Sequence, residues 1–211
     1  MKQTEKRFES FEFRAEGDTE MKVSGYAALF NRKTKIETMI GSFEEEIAPG
    51  AFSSSVSSGD VRALWSHNTD IVIGRTKNGS LKLSEDERGL KFELSLPNTT
   101  AGRDAYELIK RGDVSGVSFG FRVKSEEWRK GENDQPDTRR LLDVELLEIS
   151  PVAFPAYEAT SVSARASEEA LKEAQTKWAH EQRQLERLRE SLDMKDRRFK
   201  LSRFRGPGYI H

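Results

Sequence analysis

Alternation of apolar and polar positions dominates the first 160 residues. Leu90, Phe92, Leu94 and Leu96 fall on one face and Lys91, Glu93 and Ser95 on the other, which predicts a half-buried strand over Leu90–Leu96. The same reading predicts strands at Met21–Phe30 (interrupted by Gly25), Ile36–Ile40, Phe43–Ile47, Val61–His67, Ile71–Gly74, Ser80–Leu83, Val114–Val123 and Leu141–Ser150. Asn31–Lys35 and Ser84–Gly89 read as polar turns, and Ser125–Arg139, with Gly131 and Pro136, as a surface loop. Pro49–Phe52 opens a short helical or irregular piece that ends in Ser53–Gly59. Pro151–Tyr157 is too rich in proline for a regular central strand. The period changes at Thr100–Arg111, where Ala101, Ala105, Leu108 and Ile109 recur at helical spacing, Thr100 can cap the start and Gly112 follows the end. Residues 1–160 are therefore expected to form a domain that is mainly β with helices.

From Ser161 the pattern changes again, and 161–211 reads as a helical tail. Ala164–Arg198 lacks proline and glycine. Leu171, Ala174, Trp178, Leu185, Leu188 and Leu192 share the a and d positions of one heptad frame, with Glu181 the polar exception, a coiled-coil-like pattern. Lys195–Arg205 carries six basic residues against one acidic, Asp196, and Gly206-Pro207-Gly208 predicts a disordered end. No internal repeat is visible.

Composition narrows the function classes. Charged residues are 34% of the chain, above the ~25% of an average globular protein. Lys plus Arg (35) and Asp plus Glu (36) balance, which argues against a dedicated nucleic-acid binder; the basic end of the tail has only Phe199 and Phe204 interleaved. No apolar run approaches the roughly 20 residues of a transmembrane helix, and MKQTEKRFESFEF has no apolar core of a signal peptide. A cytosolic site fits best. Cysteine is absent, so disulfides, thiolate catalysis and cysteine zinc sites are excluded. The three histidines are His67, His180 and His211, and the first alone falls in the β region. A metal site built on several imidazoles is not expected, nor is a cofactor.

Three residues could carry chemistry. In VSGVSFGFRV, Ser118 shares a strand face with Gly116 and Gly120, which leaves room for a backbone or a substrate to approach its hydroxyl; tight strand packing is the alternative. The G-x-S-x-G spelling is not a nucleophile elbow, because strand-like sequence runs on through Phe121 and Val123. His67 is the one imidazole of the β region that could serve a serine as base, although a lone histidine at a strand end is commonly a half-buried residue. Glu148 lies in line with Leu142, Val144 and Leu146, where a carboxylate is costly without a partner. It could orient a histidine and stabilise the imidazolium, or simply reach water from a strand end.

At these residues the chain resembles the prohead proteases of tailed bacteriophages. The resemblance runs from about Val23 to Thr160. It rests on GYAALF (Gly25–Phe30), IAPGAF (Ile47–Phe52), ALWSHN (Ala63–Asn68), Ile73-Gly74-Arg75, the helix leading to Gly112-Asp113, SGVSFGF (Ser115–Phe121) and LLEISPVAFPAY (Leu146–Tyr157). It implies a serine endopeptidase that works inside the prohead in the host cytoplasm, cutting the scaffolding region of the major capsid protein and itself. It also implies a fold similar to the herpesvirus assembly proteases (assemblins), a β-barrel with surrounding helices. The family's histidine falls on His67 and its serine on Ser118, with Ser115 as fallback. The herpesvirus enzymes use a second histidine as third member. Here the acidic residue before PxxFPAY is the natural replacement, Glu148, with Glu145 as fallback. The tail could then be a solvated charged helix, a pairing element for a homo-oligomer, or a targeting arm that packs on scaffold helices and is trimmed by self-cleavage. A competing expectation is an inactive structural component of the capsid acting through the coiled coil.

Overall fold

The computed structural model describes residues 3–9, 14–16, 21–133, 135–154 and 161–204. Its strands are β1 (Glu5–Glu9), β2 (Arg14–Glu16), β3 (Lys22–Leu29), β4 (Thr34–Thr38), β5 (Gly41–Ile47), β6 (Arg62–Trp65), β7 (Asn68–Arg75), β8 (Leu81–Glu85), β9 (Gly89–Ser95), β10 (Gly116–Arg129) and β11 (Asp137–Val152). The helices are α1 (Ser53–Ser58), α2 (Thr100–Arg111) and α3 (Ser161–Phe204). The chain divides into two compact units, 1–169 and 170–211. The result is a mixed β-sheet domain followed by a long helix. Among the described residues the hydrogen-bonded strands form two sheets, β1-β10-β11-β5-β4 with the β6–β7 hairpin attached to β11, and β2-β3-β9-β8. No strand pair joins one sheet to the other, so they do not close into a barrel. They meet instead through side chains in one core, in which Val23, Phe92 and Leu94 of the smaller sheet join Phe119, Phe121 and Ile149 of the larger.

The core follows the alternation. Leu90, Phe92 and Leu94 of β9 are buried, as are Val117, Phe119, Phe121 and Val123 of β10. Phe119 is the aromatic hub, stacked on Phe121 at 5.3 Å and edge-on to Phe52 at 5.8 Å. Burial of one such side chain contributes about 1.5–3 kcal/mol. Helix α2 spans the expected residues, with Gly112 at its end in the left-handed conformation. Its cap is Thr99, not Thr100: the Thr99 hydroxyl accepts from the Gly102 amide.

The long strand β11 organises the larger sheet. One edge pairs with β10 throughout; the other pairs in parallel with β5 over Asp137–Leu141 and with β6 at Glu148 and Ile149. Between these segments no strand among the described residues reaches that edge, and α1 with the turn before it substitutes. The Val144 amide donates to the Ala51 carbonyl, the Leu146 amide donates to the Ser55 hydroxyl, and that hydroxyl donates to the Val144 carbonyl. The buried backbone groups of β11 are thereby satisfied.

Two expectations are corrected here. The loop expected over Ser125–Arg139 is confined to 130–136: β10 runs to Arg129 and β11 starts at Asp137. The reason is an ionic cluster that charged sequence conceals. Arg139, 1% exposed, donates to both carboxylate oxygens of Glu5 at 2.8 and 2.9 Å, to Glu45 at 2.9 Å and to Glu126 at 2.6 Å. Arg7 donates to Glu5 at 2.7 Å and to Glu45 at 2.9 Å. The second correction is at the other end of β11, which continues through Pro151 to Val152. Pro155–Tyr157 and the expected disordered end at Gly206–Gly208 lie outside the described residues.

The cluster sets an acid limit on stability. Burial alone would raise the Glu5 pKa, but the charge of Arg7 and the hydrogen bond and charge of Arg139 override it and lower it from 4.5 to about 2. A carboxylate depressed on folding contributes stability that is complete above its unfolded pKa and is lost as pH falls through the folded one. The urea midpoint is therefore expected to drop between pH 4.5 and 2, with this group contributing nothing to its pH dependence above that window. An acid titration of unfolding checks it; a Glu5→Gln variant with the same acid profile as wild type would refute the assignment.

In the second unit α3 is one uninterrupted helix to Phe204. Leu185, Leu188 and Leu192 are each more than half exposed there. Among the described residues no helix is long and apolar enough to cross a membrane.

Candidate active site

Strand β6 ends at Trp65, and His67 stands in the two-residue loop Ser66–His67 that leads into β7, with Trp65 paired to Asn68. Both loop residues have positive φ, 49° and 61°. A tight hairpin requires this, and Asn-Gly normally supplies it. Ser-His is therefore strained, at about 1–2 kcal/mol per residue. Hydrogen bonds to β11 hold the loop: the Ser66 amide donates to the Pro151 carbonyl at 3.2 Å and the His67 amide donates to the Ser150 hydroxyl at 3.1 Å. At the base of the hairpin, Arg75 donates twice to the Asp60 carboxylate, both at 2.7 Å. Those hydrogen bonds hold the Asp60 carboxyl well below the usual carboxylate range.

The imidazole meets a carboxylate from β11. His67 Nδ1 lies 2.7 Å from Glu148 Oε1, both side chains being largely buried. A carboxylate at Nδ1 favours the tautomer with the proton on that nitrogen and leaves Nε2 as a free base. Nε2 is buried and, among the described residues, has no hydrogen-bond partner. An unmatched buried acceptor costs about 1–3 kcal/mol, and such a cost calls for an explanation.

Ser118 lies on the same face of the same sheet. It pairs directly with Ser150, and Gly120 pairs with Glu148, so Ser118 and Glu148 are diagonal neighbours. Its hydroxyl, however, donates to the Arg7 carbonyl of β1 at 2.9 Å and makes no bond to His67. The room expected beside it is filled. A Cβ on Gly116 would stand 2.2 Å from the Phe8 ring, and one on Gly120 would stand 2.6 Å from Glu148 Oε1. The glycines admit an aromatic ring and a carboxylate from neighbouring strands.

Glu148 reaches this face for a reason other than the one expected. The register of β10 against β11 slips between Gly120 and Phe121, leaving Leu147 as an extra residue. The bulge exchanges the faces of everything after it. Val144 and Leu146 point into the core, the next core residue is Ile149, and Glu148 turns to the opposite side with Ser150. Leu142 is not on the core face either; the buried neighbour is Leu141. The fallbacks sit elsewhere. Glu145 is half-buried and faces Arg122 at 3.4 Å, and Ser115 is exposed and precedes β10.

Sequence reasoning missed Ser150 and strand β1. Ser150 follows Glu148 by two residues, so strand alternation could have indicated a shared face. β1 has no local signal. Among the described residues no group of three or more histidine or acidic side chains is placed to hold a metal ion.

Gly120→Ala is expected to slow any reaction that uses His67 as base by about 10–100-fold, the range for disturbing a group that orients a functional histidine. The added methyl displaces the Glu148 carboxylate from Nδ1, while melting changes little. Steady-state kinetics beside a thermal melt checks this; full activity would mean that Glu148 does not need its observed position.

The model of a family described as Caudovirus prohead serine protease matches residues 9–176. No curated protein and no solved structure matches.

Proposed function

The chain belongs to the Caudovirus prohead serine protease family, and from that premise we propose that Ser118, His67 and Glu148 form its catalytic triad. Family membership makes the protein a serine protease of capsid maturation. The substrates of this reading are the scaffolding region of the major capsid protein and the chain itself, cut inside the assembling prohead in the host cytoplasm. Residues 1–160 are the protease domain, and 161–211 a tail that engages scaffold helices.

The observation that carries the reading is the buried His67 Nε2, without a partner among the described residues, beside a carboxylate-held Nδ1. This is the arrangement of a general base without its proton donor. In the reaction the Ser118 hydroxyl leaves the Arg7 carbonyl and turns to Nε2. As Oγ attacks the peptide carbonyl carbon, Nε2 takes its proton, and Glu148 stabilises the resulting imidazolium. The tetrahedral intermediate collapses, and the leaving amine takes the proton from Nε2. Water then attacks the acyl-serine with His67 again as base, releasing the carboxylate product and restoring the Ser118 hydroxyl. Strand β1 must yield near Arg7 and Phe8 for substrate to reach Oγ.

Reaction with a fluorophosphonate, followed by peptide mass mapping, tests the assignment. The expected adduct is on Ser118 and is absent from His67→Ala. An adduct on another serine would overturn the triad, and removal of scaffold from capsid protein without any adduct would overturn the serine mechanism.

A further inference from the structure

We infer that Ser150 is a positioning residue of this site, a fourth member that holds both His67 and Glu148 in place; the inference rests on the triad reading above. Ser150 is fully buried and stands directly opposite Ser118 in the β10–β11 register. Its single hydroxyl does two jobs. The proton is donated to Glu148 Oε2 at 2.6 Å, and the oxygen accepts the His67 amide at 3.1 Å. Glu148 thus has one oxygen for Ser150 and the other for His67 Nδ1.

The physical consequence is orientation. A glutamate has three rotatable bonds, and one hydrogen bond to an imidazole leaves the carboxylate free to pivot. The second bond, from a buried hydroxyl on the neighbouring face position, fixes the plane of the carboxylate. The bond to the His67 amide acts on the backbone of a loop whose two residues both hold positive φ. An unanchored loop of this kind has reason to relax, and relaxation would carry the ring away from Glu148. One hydroxyl therefore sets the carboxylate and the backbone that presents the imidazole. It cannot itself be the nucleophile while its proton is held by Glu148, and it touches no reacting atom in the mechanism above.

The test compares wild type, Ser150→Ala, Ser150→Thr and Ser118→Ala. Ser150→Ala is expected to lower kcat by about 10–100-fold with KM within about twofold, as when the partner of an orienting residue is removed. Ser150→Thr, which keeps the hydroxyl, is expected to recover most of that loss. The decisive readout is independent of turnover. In nitrogen-15 spectra of the histidine side chains, His67 (assigned with His67→Gln) should show one tautomer, protonated at Nδ1, in wild type and Ser118→Ala. In Ser150→Ala it should show a mixture. An unchanged His67 spectrum with unchanged kcat in Ser150→Ala overturns the inference, and a loss of kcat that Thr does not recover, with the tautomer intact, reduces Ser150 to packing. If Ser118→Ala cleaves as fast as wild type, the triad reading itself fails, whatever Ser150→Ala does.

Discussion

Ser118→Ala is expected to end peptide cleavage, with kcat down on the order of 10⁶-fold as for loss of a serine nucleophile elsewhere. The expectation comes from geometry shared with no other serine described in the domain. Ser118 is on the face that holds Glu148, one diagonal step from it, and the imidazole bonded to that carboxylate has a buried Nε2 with no partner among the described residues. Ser150 is on that face too, but its proton is held by Glu148. Ser115 is exposed and outside the strand. The fold should survive, since alanine removes one hydrogen bond, to the Arg7 carbonyl, worth about 1 kcal/mol. Intact-mass spectrometry of the purified chain over time is the direct measurement. Wild type should lose mass by self-trimming beyond Ser161, and Ser118→Ala should remain at full mass. Identical trimming of both would point to a different nucleophile or a contaminating protease.

Arg139→Met is expected to cost about 3–5 kcal/mol of stability, the range for removing one partner from a buried ionic group. Arg139 is 1% exposed and engages Glu5, Glu45 and Glu126, carboxylates from three strands. Burial would lower its pKa, but Glu45 and Glu5 override that and raise it, so it stays charged at every accessible pH. Methionine matches much of its volume but leaves three acidic groups with Arg7 as the remaining cation of the cluster. The deficit should be largest at neutral pH and shrink in acid, where the stranded carboxylates take up protons. Urea denaturation at pH 7 and pH 4 checks both parts. A deficit below 1 kcal/mol, or one that grows in acid, would show that the cluster is not what holds β1.

Most of what local pattern can encode was legible. The alternation of β9 and of β10 across Val117–Val123 appears in the structure as read, because it is decided by which side chains face one core; α2 forms where expected, but its buried face is Gly102, Ala105, Tyr106 and Ile109, with Ala101 exposed. Three features were not legible, each for a tertiary reason. Glu5-Lys6-Arg7-Phe8 has no strand signal; it becomes a strand because β10 offers an edge and Arg139 and Glu45 offer counter-charges. Arg139 sits in a polar run whose charges are spent on one another, so polarity there marked burial and not a loop. The bulge at Leu147 has no residue signature, yet it decides the face of Glu148. That carboxylate drew notice for a face it does not occupy. The pairing of His67 with it could be anticipated as chemistry, and its geometry could not. The relatives implied by resemblance suggested a barrel; the strand pairs form two sheets.

The pairing of β1 with β10 has a consequence for time. Arg7 and Ser118 are 111 residues apart, and long-range strand pairing folds slowly. At synthesis rates of about 5–20 residues per second, β1 waits roughly 5–20 s before its partner exists. Through that interval it is an unpaired strand on the ribosome, and its run of charged residues, Glu5, Lys6 and Arg7, discourages it from joining other chains. The carbonyl that will hold the Ser118 hydroxyl is made first, and the strand with Glu148 and Ser150 last. A nascent chain thus has no assembled site until nearly all of its β domain has been translated.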